Sequence, residues 1–191
     1  MRMQNLLKIY LTLERETRKH CERVRILAMH IGARLGLTKR ELQHLSLAAQ
    51  FHDVGKVAVD PAILKQSTPL NPQQREVIRL HPQIGAEIWA SMGGDPDIAF
   101  SILNHHEHFN GGGYPFGRAG HKIPLPSRII AVADALDAML SDRPYRKAMS
   151  ADQAALALLA GCGSQFDPYI VNLILNKPSL PSLPRQVEMH L

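Results

Sequence analysis

Six helix starts are written into this chain, and they constrain its fold more than any other feature. Asp60-Pro61, Asn71-Pro72, Asp95-Pro96 and Asp167-Pro168 each place a side-chain oxygen directly before a proline. The oxygen accepts from an N–H that the first turn cannot pair, and proline at the first helical position forgoes only a hydrogen bond that the helix would not have made. Thr38 with Glu41 and Ser150 with Gln153 read as capping boxes. No segment alternates polar and apolar residues with period two over a useful length, so no half-buried strand is predicted. The chain of 191 residues is therefore expected to be all-α, a compact single-domain bundle of about eight helices. A chain this long buries roughly 70% of the surface that its unfolded form exposes, so it needs no disulfide or metal merely to fold.

The helical stripes point the same way. Glu16, His20, Val24, Leu27, Ala28, Ile31 and Leu35 recur at three- to four-residue spacing, which predicts one helix over residues 4–35, stopped by Gly36. The helix opened at Thr38 runs through Leu42, Leu45 and Ala49. His52 and Asp53 follow on its inner face, and Gly55 is read as its C-terminal stop. Residues 108–126 are rich in Gly and Pro and read as an ordered functional loop. A long helix is expected over 127–142. From Lys177 onward, Pro178, Pro181 and Pro184 predict an extended or disordered tail. The domain is thus placed at 1–176 and the Pro-rich tail at 177–191.

Composition excludes several classes. With 45% hydrophobic and 20% charged residues the chain is not disordered. Two cysteines, Cys21 and Cys162, make neither a disulfide scaffold nor a thiolate zinc site, and favour a reducing compartment. Apolar runs near residues 129–140 and 154–160 are too short to span a bilayer, and Lys8 interrupts the N-terminal run. A cytoplasmic protein with no membrane segment is expected. The formal charge of +5 favours an anionic partner, but the Lys and Arg residues are scattered, which argues against a nucleic-acid polymer.

Ten histidines are the unusual number. Glu16 and His20 are four residues apart on one stripe. His52-Asp53 and His105-His106 are adjacent pairs at helix ends, His81 precedes Pro82, and Asp134 interrupts an apolar helical run. Buried carboxylates and imidazoles are costly unless paired or metal-bound. Convergence of this set would suit iron, manganese, zinc, cobalt or nickel. Hydrogen-bonded helix ends could instead satisfy each group singly.

The residues His52-Asp53-Val54-Gly55-Lys56, followed by Asp60, Ile63, Leu64 and Lys65, resemble the signature of the HD superfamily of metal-dependent phosphohydrolases. His105-His106-Glu107, then Asn110-Gly111-Gly112-Gly113-Tyr114-Pro115, Ala133-Asp134, Asp137 and Arg143-Pro144-Tyr145-Arg146 resemble its HD-GYP subfamily, with Gly163 and Phe166-Asp167-Pro168 as a late marker. Asn110, Arg18, Arg118 and Ser127 depart from the residues usual at their places, and none is a proposed ligand. The resemblance implies an HD-type fold with an ordered GYP loop. It also implies hydrolysis of the bacterial second messenger cyclic di-GMP to linear pGpG, with GMP as the alternative end product. Metal ligands carry over to His52, Asp53, His81, His105, His106 and Asp134, with Asp53 bridging two ions. Glu16 and His20 resemble the additional element of three-metal members. Two or three divalent transition ions are implied, iron first and manganese as the alternative.

Within that resemblance a metal-bridging hydroxide attacks phosphorus. Lys56 stabilises charge or protonates the leaving oxygen. Arg143 and Arg146 offer planar donors to phosphate or guanine, Tyr114 stacks or hydrogen-bonds with the ligand, and Gly113 permits close backbone approach. Asp137 is placed with the substrate-binding residues, or behind them, orienting Lys56 or a ligand histidine. A sensor or signalling protein acting in trans, and a second copy of the chain, are the candidate protein partners. The alternatives are a catalytically weak cyclic di-GMP sensor or adaptor, and an HD phosphohydrolase for another nucleotide.

Overall fold

The computed structural model describes residues 2–66, 68–142 and 147–176. Among these, ten α-helices and two 310 turns occur and no strand. The helices are α1 (Arg2–Thr12), α2 (Arg15–Arg34), α3 (Lys39–Phe51), α4 (Pro61–Leu64), α5 (Pro72–Arg79), α6 (His81–Ser91), α7 (Pro96–Leu103), α8 (Leu125–Leu140), α9 (Ala151–Ala160) and α10 (Pro168–Leu175). The 310 turns are Val54–Ala58 and Gly120–Lys122. The tail expected at 177–191 lies outside the described residues.

Each start read from the sequence is made as the capping chemistry requires. Asp60, Asp95 and Asp167 accept from the N–H two residues on, at 2.8, 2.9 and 2.8 Å. Thr38–Glu41, Asn71–Gln74 and Ser150–Gln153 are reciprocal boxes. Gly36 ends α2 with φ of 77°, a left-handed conformation that glycine adopts without steric cost.

The apolar stripe of α2 packs on α3 and α8, and α3 packs in turn on α7. Val24, Leu27, Ala28 and Ile31 of α2, Leu45 and Ala48 of α3, and Ile129, Val132 and Leu136 of α8 are buried together. Each fully buried branched side chain here contributes about 1.5–3 kcal/mol relative to exposure. The single helix expected over residues 4–35 is instead two, broken at Leu13 and Glu14. Straight, it would be about 48 Å long, half again the width of a small domain. The break turns Leu6, Tyr10 and Leu13 back into the core.

Gly55 is the second departure. It is not the stop of α3, which ends at Phe51, and its φ is not among the positive ones. A Cβ there would lie 2.0 Å from the His81 carbonyl oxygen and 2.6 Å from the Gly85 nitrogen. Glycine is needed because the Val54–Ala58 turn runs against the start of α6, and that approach carries Asp53 to His81. Gly55→Ala is expected to cost about 2–3 kcal/mol of unfolding free energy, as overpacking against rigid backbone does. Urea denaturation checks this, and a variant as stable as the wild type would refute the close-approach reading.

Candidate metal centre

Three histidines share one construction. His52, His81 and His105 follow the last turns of α3, α5 and α7, where carbonyls have no helical partner. Each donates from Nδ1 to the carbonyl three residues back: His52 to Ala49 at 2.8 Å, His81 to Ile78 at 2.7 Å and His105 to Ile102 at 2.6 Å. All three side chains are buried. With Nδ1 donating, each ring in its neutral form presents an Nε2 lone pair to the centre.

Those lone pairs meet other acceptors. His81 Nε2 lies 3.2 Å from His105 Nε2 and 3.1 Å from Asp53 Oδ1. His52 Nε2 is buried without a hydrogen-bond partner among the described residues. Acceptors facing acceptors in a buried site are unfavourable unless a cation lies among them. This donor set therefore fits divalent metal, and its mixture of imidazole and carboxylate suits iron, manganese or zinc.

Three groups of potential ligand atoms each span no more than 4.8 Å: His81, His105 and His106; His20, His52 and Asp134; and Cys21, His52 and Asp53. Asp53 stands between the first two. Its Oδ1 faces His81, and its Oδ2 lies 3.6 Å from both His20 Nε2 and His52 Nε2. Lys56 donates to Asp53 Oδ2 at 2.6 Å.

Asp137 has a different place from that expected of a substrate-binding residue. It is fully buried, and its Oδ2 accepts from His20 Nδ1 at 2.6 Å while Arg23 Nε donates to Oδ1 at 2.5 Å. It orients His20, whose Nε2 then points to Asp134 Oδ1 at 3.1 Å. It does not contact Lys56. Arg23, which continues the α2 face one turn beyond His20, gave no sequence signal beyond that spacing.

Glu16 does not join the centre. Its side chain is 78% exposed and bonds Lys19 at 3.1 Å. The reason is the break before α2: Glu16 occupies the first turn, outside the stretch covered by α3 and α8, whereas His20 lies inside it. Glu16→Ala is expected to leave the metal content at the wild-type value, and His20→Ala to lower it. Elemental analysis of both variants checks this, and a loss in Glu16→Ala would return Glu16 to the ligand set.

Electrostatics follow burial and pairing. Burial drives the pKa of His105 well below the ordinary imidazole value, with neighbouring His106 adding to the shift, and brings His106 to about 3. For Asp53, burial works upward, but Lys56 and His52 outweigh it and hold the carboxyl well below its usual range. Burial also works against charge on His20, yet Asp134 and Asp137 raise it to about 9. Asp53, Asp134 and Asp137 are thus balanced by Lys56, Arg23 and protonated His20. A cation entering beside His20 displaces that proton. Between pH 7 and 8, metal uptake should release about one proton from this imidazole, and affinity should rise with pH up to about 9. Calorimetric titration in buffers of different ionisation enthalpy counts the protons, and zero release would contradict the assignment.

The GYP loop closes one side of the centre. Tyr114 stacks on His106 with ring centroids 4.9 Å apart, and the Arg79 guanidinium lies 5.3 Å from the Tyr114 ring centre. Burial pushes the Tyr114 hydroxyl pKa up, so the phenol keeps its proton. The close approach at Gly113 is to the chain itself: a Cβ would lie 2.2 Å from His108 N and 2.5 Å from His106 O. Sequence reasoning gave Glu107 no role, yet this buried carboxylate accepts from Phe116 N at 2.7 Å and Arg118 N at 3.0 Å, pinning the loop. Its place beside His105-His106 was the available signal. Asn110 accepts from Gly112 N, and Ser127 donates to the Ser101 carbonyl, so both departures are accommodated locally. Arg143 and Arg146 lie outside the described residues. A cavity of about 240 Å³ opens beside His105, His106 and Asp134.

An all-helical domain built around an adjacent His-Asp pair, with imidazoles converging on it, defines the class as a metal-binding HD domain. The HD domain family matches residues 3–170. The chain is 38% identical over 159 residues to the cyclic di-GMP phosphodiesterase response regulator RpfG of Xanthomonas campestris pv. campestris, across 81% of this chain and 41% of that protein. It is 34% identical over 163 residues to the 3′3′-cGAMP-specific phosphodiesterase 2 of Vibrio cholerae, across 84% of this chain and 31% of that protein. The HD domain of the L. monocytogenes phosphodiesterase PgpH, solved with cyclic-di-AMP, shares the fold with a TM-score of 0.67 at 21% identity, across 89% of this chain and 91% of that one. The chain belongs to the HD-domain family, and its curated relatives support a place in the HD-GYP branch. It spans less than half the length of the two curated relatives described. No helix among the described residues is long and apolar enough to cross a membrane.

Proposed function

We propose that this chain is a metal-dependent phosphodiesterase of the bacterial cytoplasm that hydrolyses cyclic di-GMP to linear pGpG, with GMP as the alternative end product. The observation that carries the reading is the placement of Asp53 between two groups of potential ligands, one oxygen toward each. That arrangement supports two ions: His81, His105 and His106 would hold one, His20, His52 and Asp134 would hold the other, and Asp53 would be shared between them. The exposure of Glu16 leaves the third ion without its carboxylate. Iron is the favoured metal and manganese the alternative, since both accept mixed imidazole and carboxylate donors. When bound, such a pair neutralises phosphate charge and lowers the pKa of the water that attacks phosphorus.

The remaining steps belong to the side chains. Asp137 fixes the ring of His20, and the three helix-end carbonyls fix those of His52, His81 and His105. Burial lowers the pKa of Lys56, but Asp53 more than restores it, so the ammonium keeps its proton beside the centre. It is placed to offset charge on the phosphate or to give a proton to the leaving 3′-oxygen. Tyr114, protonated and stacked over His106, bounds the cleft and offers a hydroxyl donor. Phosphate and base contacts by Arg143 and Arg146 remain part of the proposal, resting on their match to the family's loop.

The substrate choice is supported by the loop residues and by the relative from X. campestris. The V. cholerae relative favours 3′3′-cGAMP as the second reading. Metal-loaded protein is expected to convert cyclic di-GMP to pGpG, read by separating the nucleotide products. Asp53→Ala should reduce turnover to background while the far-ultraviolet helical signal is retained, because it removes a ligand and little core volume. Turnover by a fully metal-loaded Asp53→Ala protein would overturn the bridging role.

A further inference from the structure

The cavity beside the centre has lining residues that the proposed chemistry leaves unused. His106 and Asp134 of the centre line it together with His108, Gln165, and Ala131 and Ala135 of α8. Its volume of about 240 Å³ is below the roughly 300–1,000 Å³ of pockets that enclose a drug-sized ligand. It has room for one nucleobase, with the rest of a cyclic dinucleotide outside. Ala131 and Ala135 are four residues apart on one helix face. They project nothing beyond Cβ, so a planar ring can lie against α8.

Gln165 is built as a reading group. Its backbone is held from both sides: its N–H donates to the Gly161 carbonyl at 2.9 Å, and its carbonyl accepts from Phe109 N at 3.1 Å. The adjacent Ser164 carbonyl accepts from Asn110 N at 2.9 Å, which ties this turn to the GYP loop. Gln165 lines the cavity and is itself exposed, and no described residue hydrogen-bonds its side chain. A fixed backbone carrying a free amide is suited to a ligand edge.

We propose that the Gln165 amide reads the edge of a purine held in this cavity and accepts guanine and adenine alike. The inference rests on the phosphodiesterase reading above, which puts phosphate beside Asp134 and leaves the base to the lining residues that hold no metal. Guanine presents an O6 acceptor beside an N1–H donor. Adenine presents the reverse, an N6–H donor beside an N1 acceptor. A primary amide carries one donor group and one acceptor, and a half-turn about its last bond exchanges them. Gln165 therefore pairs with either purine in two hydrogen bonds. A carboxylate carries acceptors only, matches the N1–H and N2–H pair of guanine, and leaves adenine N1 facing an acceptor.

The test uses metal-loaded protein with cyclic di-GMP as substrate and GMP or AMP as competitor. Wild-type inhibition constants for the two are expected within about tenfold of each other. Gln165→Glu should raise the ratio of the AMP constant to the GMP constant by about fivefold or more, the discrimination typical of one bidentate base contact. Gln165→Leu, with no hydrogen-bonding group, should raise both constants by similar factors of about fivefold or more, with metal content unchanged. Wild-type protein inhibited by GMP but not AMP, or by neither, overturns the proposal, and so does a ratio in Gln165→Glu equal to that of the wild type. A wild type that turns over no cyclic dinucleotide sinks the phosphodiesterase reading itself; active protein with unchanged constants in both variants overturns this inference only.

Discussion

Three ring N–H groups closing three helix ends hold the centre of this molecule together. A helix leaves its last carbonyls unpaired, and burying them unpaired is costly. His52, His81 and His105 meet that need at the ends of α3, α5 and α7. The same bond fixes each tautomer and aims Nε2 inward, so a structural requirement of the helix becomes the orientation of a ligand atom. The two readings open at the level of sequence, a histidine that satisfies a helix end and a histidine that faces a metal, use opposite nitrogens of one ring and are compatible.

Charge balance is the next constraint. Removing one partner from a buried ion pair is strongly destabilising because it leaves an uncompensated charge. Asp53 and Asp137 are buried, and each has its cation in contact: Lys56 for Asp53, Arg23 and His20 for Asp137. His20 serves two carboxylates at once, with one nitrogen on Asp137 and the other facing Asp134. That double demand raises its pKa to about 9 against the opposing effect of burial, so a cation entering beside it would compete with its proton.

Glycines and a carboxylate then set the approach of the pieces. Gly55 lets the 310 turn after Asp53 lie against α6, and Gly113 lets the GYP loop fold back on His106 and His108. Glu107 accepts two loop N–H groups from within the protein. Through these contacts Tyr114 is laid on His106 and the turn bearing Gln165 is joined to the loop. One wall of the cleft is thus assembled by short-range packing from segments far apart in the chain.

The helix starts and the all-helical class were legible in the sequence, because capping oxygens, prolines and apolar periodicity act over a few residues. So was the set of polar side chains that lie at the centre, since imidazoles and carboxylates set among core residues stand out against apolar stripes. Which of them meet was decided by tertiary structure. Glu16 and His20 share a helix face by spacing, but the break at Leu13 and Glu14 and the coverage of α2 by its neighbours leave the first in water and bury the second. Asp137 is three residues from Asp134, yet Arg23 and His20 draw it behind the centre and away from the cavity. Gly55 and Gly113 look like ordinary turn residues in the sequence; their role depends on how close another backbone comes, a distance that local propensity does not contain. Helical period fixes the direction in which a side chain leaves its own helix, and only the packing of other elements against it decides whether that direction leads to water, to a counter-charge or to a shared centre.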